Sequence, residues 1–265
     1  MTTMTETVIP WPPKHSLFGV RVSALTVEQG VEAMIQAAKQ RTPAVVSAFA
    51  VHALVEASNS QSFAEKVNQF AMVLPDGQPL RWALNLLHRA GLKKTVQGYE
   101  LMDAVCHKAA EEGVSIYLYG SSEATLAKLS ANLVKSHPGL QIAGVESPPF
   151  RPLTPEEDAE MVARVNNSGA GIMFLGLGCP KQDNFAAEHA DRIEAVQYCV
   201  GAAFDFLAGS KPLAPDWMQR NGLAWLFRLY QEPSRLWKRY FVTNTIFLKR
   251  FAGQILRTRI LRQAV

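Results

Sequence analysis

The segment 176–183 combines two glycines, a proline, a lysine and a glutamine in the order Gly-Leu-Gly-Cys-Pro-Lys-Gln-Asp. An apolar run at 171–175 precedes it, and a helical pattern follows it. A strand that turns directly into a helix leaves unpaired backbone N–H groups at the positive end of that helix, where a phosphate can bind. Pro180 suits the first helical position, and Lys181 and Gln182 would add a cation and an amide. A tight turn without a ligand is the alternative interpretation, because short glycine motifs are weak signals.

Asp76 is the second candidate for chemistry, since it follows an apolar run at 71–74 and precedes a glycine. A carboxylate at the mouth of a sheet can act as a general base and deprotonate a hydroxyl acceptor. A helix cap or turn aspartate is the alternative. Asp205 has the same two interpretations, of which we favour the structural cap. His52, on a predicted helix face, is interpreted as a packed or surface histidine.

Strand and helix patterns alternate along the chain between these residues. The predicted strands are apolar throughout, which favours a parallel sheet covered by helices on both faces, a Rossmann-like α/β fold. A capping box of Thr26 and Gln29 opens the first helix, and Thr154 caps a later one. The predicted strands are 18–24, 44–50, 71–74, 114–119, 140–145, 171–175 and 195–200. The predicted helices are 26–39, 51–69 (in one or two pieces), 78–88, 99–112, 123–136, 156–167, 217–230 and 234–261.

In such sheets, ligands bind beyond the carboxyl ends of the strands. Five segments at or after the predicted strand ends are therefore candidate ligand-binding positions, called mouths here: 47–49, 76–77, 120–121, 176–182 and 201–205. The candidate substrate-binding residues at these mouths are Ser47, Gly77, Gly120, Ser121, Gly176, Gly178, Lys181, Gln182 and Asp205.

Positive charge is concentrated at the C-terminus. Residues 220–265 contain ten Lys/Arg and one acid, Glu232, whereas the remaining residues contain 17 Lys/Arg and 22 Asp/Glu. Aromatic residues are interleaved with the cations, as in helices that lie on a membrane surface. The alternatives are a solvated face, an interface of a homo-oligomer, and a nucleic-acid surface. Nothing in residues 18–210 suggests base readout, so we expect no nucleic-acid partner.

Amino-acid composition and the pattern of predicted elements divide the chain into three parts. Residues 1–15 are polar and proline-rich and are expected to be flexible. Residues 16–213 form the expected α/β catalytic domain, and residues 214–265 form a helical, membrane-associating appendage. Three scattered cysteines and the absence of a signal peptide pattern or a long apolar run predict a cytoplasmic protein.

Several site motifs are absent from the sequence. There is no P-loop, no dinucleotide-binding fingerprint, no His-Glu-x-x-His, no Cys-x-x-Cys and no Asp-x-Asp. The sequence therefore predicts neither a metal site nor a cofactor. If the protein handles a nucleotide diphosphate, helix N-termini and basic side chains must compensate its charge.

Taken together, the ordered motifs resemble the WecG/TagA/CpsF glycosyltransferases of bacterial surface-polysaccharide assembly. The similarity runs from about residue 18 to 245, and the ordered set is far more specific than any single motif. The matching segments are 75–77 (Pro-Asp-Gly), 98–102 (Gly-Tyr-Glu-Leu-Met), 117–120, 176–182, 201–209, 214–219 (Ala-Pro-Asp-Trp-Met-Gln) and 232–240 (Glu-Pro-Ser-Arg-Leu-Trp-Lys-Arg-Tyr).

The resemblance implies an inverting, metal-independent transfer from a UDP-sugar to a sugar on undecaprenyl diphosphate, at the inner face of the cell membrane. It implies that Asp76 is the general base and that Gly98 and Gln182 belong to the site. It also implies that Arg228, Arg235 and Lys238 of the appendage stabilise the departing UDP diphosphate.

Some positions depart from the family pattern. Ser47-Ala48-Phe49 stands where members often have Thr-x-Asn, Thr95 replaces a frequent arginine, and Asp183 replaces the usual glutamate. These departures put the identity of the sugar in doubt more than the reaction class. They also leave open a second hypothesis, a non-catalytic subunit that binds a sugar nucleotide or a lipid carrier.

Overall fold

A computed structural model describes residues 8–257. These residues form eight strands and twelve helices in the alternating order that the sequence predicts. The strands are β1 Lys14–Leu17, β2 Val20–Ser23, β3 Ala44–Phe49, β4 Met72–Pro75, β5 Ile116–Gly120, β6 Ile142–Glu146, β7 Ile172–Gly176 and β8 Val196–Cys199. The helices are α1 Val27–Lys39, α2 Val51–Asn59, α3 Gln61–Gln69, α4 Gln78–His88, α5 Gly98–Glu112, α6 Glu123–Ser136, α7 Pro155–Asn167, α8 Lys181–Glu188, α9 Ala203–Leu207, α10 Asp216–Arg220, α11 Ala224–Gln231 and α12 Pro233–Ile255.

Six strands form one parallel sheet in the order β4-β3-β8-β7-β5-β6. Every residue of β4, β5 and β8 is buried, which explains why these strands are apolar on both faces. Side chains of α2, α3, α4, α7 and α8 pack on one face, and side chains of α1, α5, α6 and α9 pack on the other. The predicted Rossmann-like fold, with helices on both faces of a parallel sheet, is confirmed.

The N-terminal strand prediction needs a correction. The sequence pattern predicted one strand over 18–24, but β1 and β2 form an antiparallel hairpin. Phe18 and Gly19 are its two turn residues, with φ angles of 57° and 86°. Positive φ at both positions is the geometry of a two-residue hairpin turn. β1 begins at Lys14, inside the segment expected to be flexible, and residues 1–7 lie outside the described part of the chain.

The C-terminal helices pack against the α/β domain. Phe247 of α12 is buried, and its ring contacts that of Phe18 with centroids 5.5 Å apart. Arg250 donates hydrogen bonds to Ser58 and Asn59 at the end of α2. The predicted helix over 217–230 is instead two helices, α10 and α11. The predicted helix over 234–261 corresponds to α12, and its last positions lie outside the described residues.

Candidate active site

Asp76 lies at the carboxyl end of β4, immediately before α4. Its backbone N–H donates to the Phe49 carbonyl of the neighbouring strand at 2.9 Å. The Thr95 hydroxyl accepts from the Gly77 N–H and donates to the Pro75 carbonyl, both at 3.1 Å. These hydrogen bonds fix the backbone of Asp76, and with it the position of the carboxyl group at the carboxyl end of β4.

The Asp76 carboxylate faces the first turn of α5, where the Gly98 backbone N–H donates to it. A Cβ atom at position 98 would lie 3.0 Å from the Ala48 Cβ and 3.6 Å from Asp76 Oδ2. Glycine therefore allows the end of the helix to approach the carboxylate closely. The Tyr198 hydroxyl donates to the Gly98 carbonyl at 3.1 Å and holds this turn in place.

Burial raises the pKa of Asp76 to about 6, while the charge of Arg228 and the Gly98 N–H act to lower it. The residue nevertheless keeps part of its surface accessible to solvent. A ligand can therefore reach the carboxylate. At neutral pH this carboxylate is ionised, and its raised pKa makes it a stronger base than an ordinary aspartate.

The appendage lies next to Asp76. Arg228 of α11 lies over the Phe206 ring, with its guanidinium carbon 5.5 Å from the ring centroid. Gln219 of α10 accepts hydrogen bonds from Gln97 and from the Tyr99 hydroxyl, both at 2.8 Å. These contacts bring a cation of the appendage beside the Asp76 carboxylate.

The side chain of Gln182 stabilises the 176–182 turn, to which this residue belongs. Gly178 N–H donates to Gln182 Oε1 at 3.0 Å, and Gln182 N–H donates to the Gly178 carbonyl at 2.9 Å. Gln182 is only 2% exposed. One N–H group expected to be free is thus occupied, and the Gln182 side chain stabilises the turn. Pro180 precedes α8 as its N-cap residue, not as its first helical residue as predicted.

Ser47 lies beneath this turn. Its hydroxyl donates to Asp183 Oδ1 at 2.5 Å, and both side chains are fully buried. Burial raises the pKa of Asp183 to about 6, and hydrogen bonds from Ser47 and Cys179 oppose this shift. The Ser47–Asp183 pair therefore joins the end of β3 to the first turn of α8.

Gly120, Ser121 and Gly176 lie together where β5 and β7 end. The Ser121 N–H donates to the Gly176 carbonyl at 3.2 Å. A Cβ at position 120 would lie 2.7 Å from the carbonyl carbon of Gly176, and one at position 176 would lie 2.5 Å from the Phe204 ring. These glycines allow close packing of the two strand ends.

Asp205 pairs with Lys211 at 2.9 Å, and Lys211 also pairs with Glu232 at 3.1 Å. Glu232 in turn lies 3.3 Å from Arg235. This chain of ion pairs links α9 to the start of α12. Lys211, which completes the link, was not singled out from the sequence.

The remaining predicted cations, Lys181 and Lys238, are exposed to solvent. Sequence reasoning missed Arg239, which is half-buried beside the turn. The helical spacing of the buried residues Leu236 and Thr243 could have identified it, because position 239 lies on the same helix face. Within residues 8–257, no cluster of His, Cys, Asp and Glu side chains is arranged to hold a metal ion.

Comparison with known proteins identifies the family to which this site belongs. The sequence model of the WecG/TagA/CpsF glycosyl transferase family matches residues 15–261. The chain belongs to the WecG/TagA/CpsF glycosyltransferase family. A curated relative, the N-acetylglucosaminyldiphosphoundecaprenol N-acetyl-beta-D-mannosaminyltransferase of Bacillus spizizenii, is 25% identical over 185 residues, which are 69% of each chain. The resemblance found in the ordered motifs is therefore confirmed for this WecG/TagA/CpsF glycosyltransferase.

Proposed function

We propose that this glycosyltransferase moves a sugar from a UDP-sugar to a sugar carried on undecaprenyl diphosphate, in the synthesis of a cell-wall polymer or an exopolysaccharide. The name of the Bacillus spizizenii relative, which describes a transferase acting on an undecaprenol-linked N-acetylglucosamine, supports this acceptor class. The observation that carries the chemistry is the buried Asp76 carboxylate. It combines a raised pKa with access to solvent and a position near Arg228.

In the proposed mechanism, Asp76 takes the proton of an acceptor hydroxyl. The hydroxyl oxygen then attacks the anomeric carbon from the face opposite UDP, the bond to the diphosphate breaks, and UDP leaves with the electron pair. One displacement of this kind inverts the anomeric centre. Burial favours proton uptake by Asp76, since the protonated carboxyl group is neutral.

We place the diphosphate of the donor beside Arg228, Arg235 and Lys238. Arg228 is close enough to Asp76 for its charge to lower the pKa of that carboxyl group, whereas Arg235 is held by Glu232 and Lys238 is exposed. Cations that meet the charge developing on the leaving group make a metal unnecessary in this mechanism. The donor contacts are assigned to Gly77, Gly178 and Lys181, while Ser47, Gly98, Gly120, Ser121, Gly176, Gln182 and Asp205 shape the site from behind.

The acceptor lipid places the reaction at a membrane. None of the helices in the described part of the chain is long and apolar enough to cross a bilayer. We propose peripheral association with the inner face of the cell membrane through α11 and α12. Their exposed aromatic residues Trp225, Tyr230, Trp237 and Phe241 would enter the interface.

The test uses detergent-solubilised protein, a panel of UDP-sugars, a short-chain polyprenyl-diphosphate N-acetylglucosamine acceptor and EDTA. We expect one donor to give UDP release and an extended lipid-linked product with inverted anomeric configuration. The rate should rise with pH through about 6 and then level off, because only ionised Asp76 can accept the proton. Asp76→Asn should lower the rate by about 10²- to 10⁴-fold.

Asp191→Asn is the matched control. Asp191 is exposed and lies between α8 and β8, before the amino end of that strand. It should retain the wild-type rate. A near-normal rate for Asp76→Asn would exclude Asp76 as the base, and loss of activity in EDTA would contradict metal independence. UDP binding without turnover of any donor would favour the non-catalytic binding subunit instead.

A further inference from the structure

The segment between Asp76 and Glu100 is basic, although the α/β domain as a whole is acidic. Residues 77–99 contain four Lys/Arg and no Asp or Glu, whereas the other residues before 220 contain 13 Lys/Arg and 22 Asp/Glu. The four cations are Arg81, Arg89, Lys93 and Lys94. A concentration of one charge sign in an otherwise acidic domain indicates an anionic partner.

This segment forms α4 and the loop that connects it to α5. Arg81 donates to the Leu92 and Lys93 carbonyls at 3.3 and 2.6 Å, and Asn85 donates to the Leu92 carbonyl at 2.9 Å. The loop is therefore held against α4, and Lys93 lies beside the helix. The side chain of Arg81 is used for this internal contact.

The other three cations, Arg89, Lys93 and Lys94, are exposed. Within residues 8–257, no carboxylate comes within 4.0 Å of their side-chain nitrogen atoms. Glu28 of α1 is the acid nearest in effect, since a hydrogen bond from Thr26 and, more weakly, the charge of Lys94 lower its pKa. The charge of the segment is therefore directed mainly to solvent.

α4 adds large apolar side chains to this charge. Trp82 and Leu86 are 49% and 40% exposed. With Arg89 they follow a spacing of four and three residues, which places all three on one face of the helix. An aromatic ring and an aliphatic side chain thus lie in line with a cation on the outer side of α4.

The same face of α4 meets the appendage. A Cβ atom at position 222 would lie 3.2 Å from the Gln78 Cβ and 3.3 Å from the Trp82 ring, so the chain before α11 packs directly on α4. Trp225, near the start of α11, is 41% exposed. The outer side of α4 is therefore continuous with the aromatic surface of α11.

We propose that α4 and the loop after it form a second membrane contact, made by the α/β domain itself. The contact residues, which we call the α4 surface, are Trp82, Leu86, Arg89, Lys93 and Lys94. The apolar side chains would enter the interface, and the cations would face anionic headgroups. An acidic protein or a nucleic acid would match the cations but would offer no apolar layer to Trp82 and Leu86.

This inference rests on the membrane association proposed above and extends it. A contact through α11 and α12 alone leaves the α/β domain free to tilt about the appendage. A second contact through α4, the helix that follows Asp76, would fix the orientation of the carboxylate relative to the lipid surface.

The first test removes charge and leaves the packing of the fold unchanged. Lys93→Gln combined with Lys94→Gln should weaken sedimentation with phosphatidylglycerol vesicles about thirty-fold at low salt, since each lysine near an anionic surface contributes about five-fold. The difference should shrink at high salt. Lys128→Gln with Lys135→Gln is the matched control, because it removes the same charge from exposed positions of α6, on the other face of the sheet. The control should bind like the wild type.

The second test removes the aromatic ring. Trp82→Ser should weaken vesicle binding about ten-fold, because only about half of the residue remains to be buried in lipid. This loss should persist at high salt, since burial of apolar surface is not screened. Phe150→Ser removes a ring that is 96% exposed but lies outside the α4 surface, and it should bind like the wild type. If Trp82→Ser does not fold, the lysine variant decides the question.

The outcomes separate this contact from that of the appendage. A loss of vesicle binding for Phe241→Ser, together with wild-type binding by the lysine variant, would confine the membrane contact to α12 and its neighbours and overturn the proposal. Equal losses for the lysine variant and its α6 control would also overturn it, because net charge alone would explain them. Vesicle binding needs no sugar transfer, so an inactive protein with the expected binding pattern would refute only the proposed transfer.

Discussion

Asp76 and Asp183 both have a carboxyl group whose pKa burial raises to about 6, yet their surroundings differ. Asp76 keeps accessible surface and faces a helix N-terminus and an arginine. Asp183 is sealed beneath the turn and bonded to Ser47. A raised pKa therefore does not distinguish the two carboxyl groups, whereas solvent access does, and this access supports the proposal that Asp76 is the base.

Asp183→Asn should stabilise the protein at pH 8. The carboxyl group ionises near its ordinary pKa of 3.8 in the unfolded chain but only near 6 in the folded one. Above pH 6 the folded wild type therefore carries a charge that burial disfavours, at a cost of about 3 kcal/mol. Asparagine avoids this cost and can still accept the Ser47 hydrogen bond.

The gain in Tm should be nearly full at pH 8, shrink as the pH falls through 6, and be small at pH 4, where the folded carboxyl group is protonated and the unfolded one, with its ordinary pKa of 3.8, is about half protonated. Scanning calorimetry from pH 4 to pH 8 measures it. The exposed Asp191→Asn control should show no such pH-dependent gain. A destabilised Asp183→Asn at pH 8 would mean that the ionised carboxylate is itself required to hold the turn.

At the scale of the elements, local signals predicted most of the helices. α4 and α6 have the bounds that the sequence pattern indicated, and the capping box at Thr26 and Gln29 opens α1. These features depend on neighbouring residues, so the sequence alone suffices. The hairpin turn was missed because Phe18 is an uncommon residue at positive φ, which asparagine or glycine usually occupies.

The site was predictable in its location but not in its internal contacts. The predicted strand ends indicated that Ser47, Asp76 and Gln182 lie near the carboxyl ends of the parallel strands, as observed. Their roles could not be predicted, because the partners that define them are distant in sequence. Ser47 bonds to Asp183, 136 residues away, and this contact makes it a support for the turn.

Gly120→Ala should be much more destabilising than Gly113→Ala. Both glycines have positive φ, 115° and 68°, so each substitution adds backbone strain of about 1–2 kcal/mol. A Cβ at position 113 meets open space, whereas one at position 120 would collide with the backbone of Gly176. Gly120→Ala must therefore also separate β5 from β7.

Thermal unfolding of the two variants and the wild type measures this difference. We expect the Tm of Gly120→Ala to fall well below that of Gly113→Ala. Equal losses of Tm would show that the strand ends can move apart without cost, and that close packing is not why position 120 is a glycine.

At the scale of the whole molecule, α12 has two different sides. Phe247 packs against Phe18, and Arg250 bonds to Asn59 at 2.7 Å, so one side is fixed to the α/β domain. The other side presents large apolar residues to solvent, including Phe241 and Leu248. Exposed apolar residues among an excess of cations are typical of a surface that meets an anionic membrane.

Phe241→Ser should weaken binding to phosphatidylglycerol vesicles about thirty-fold, since a phenylalanine that enters the interface contributes on the order of 2 kcal/mol. Phe241 is 71% exposed, and Phe150→Ser is the matched control, because Phe150 is 96% exposed but lies outside the appendage, in the loop before α7. Vesicle sedimentation measures the bound fraction. Binding should also fall at high salt, because the cations of the appendage contribute through screened attraction. Equal binding by both variants would exclude this helix face from the membrane contact. A loss confined to Phe241→Ser would instead place the Asp76 site, next to α11 and α12, at the lipid surface where the proposed acceptor resides.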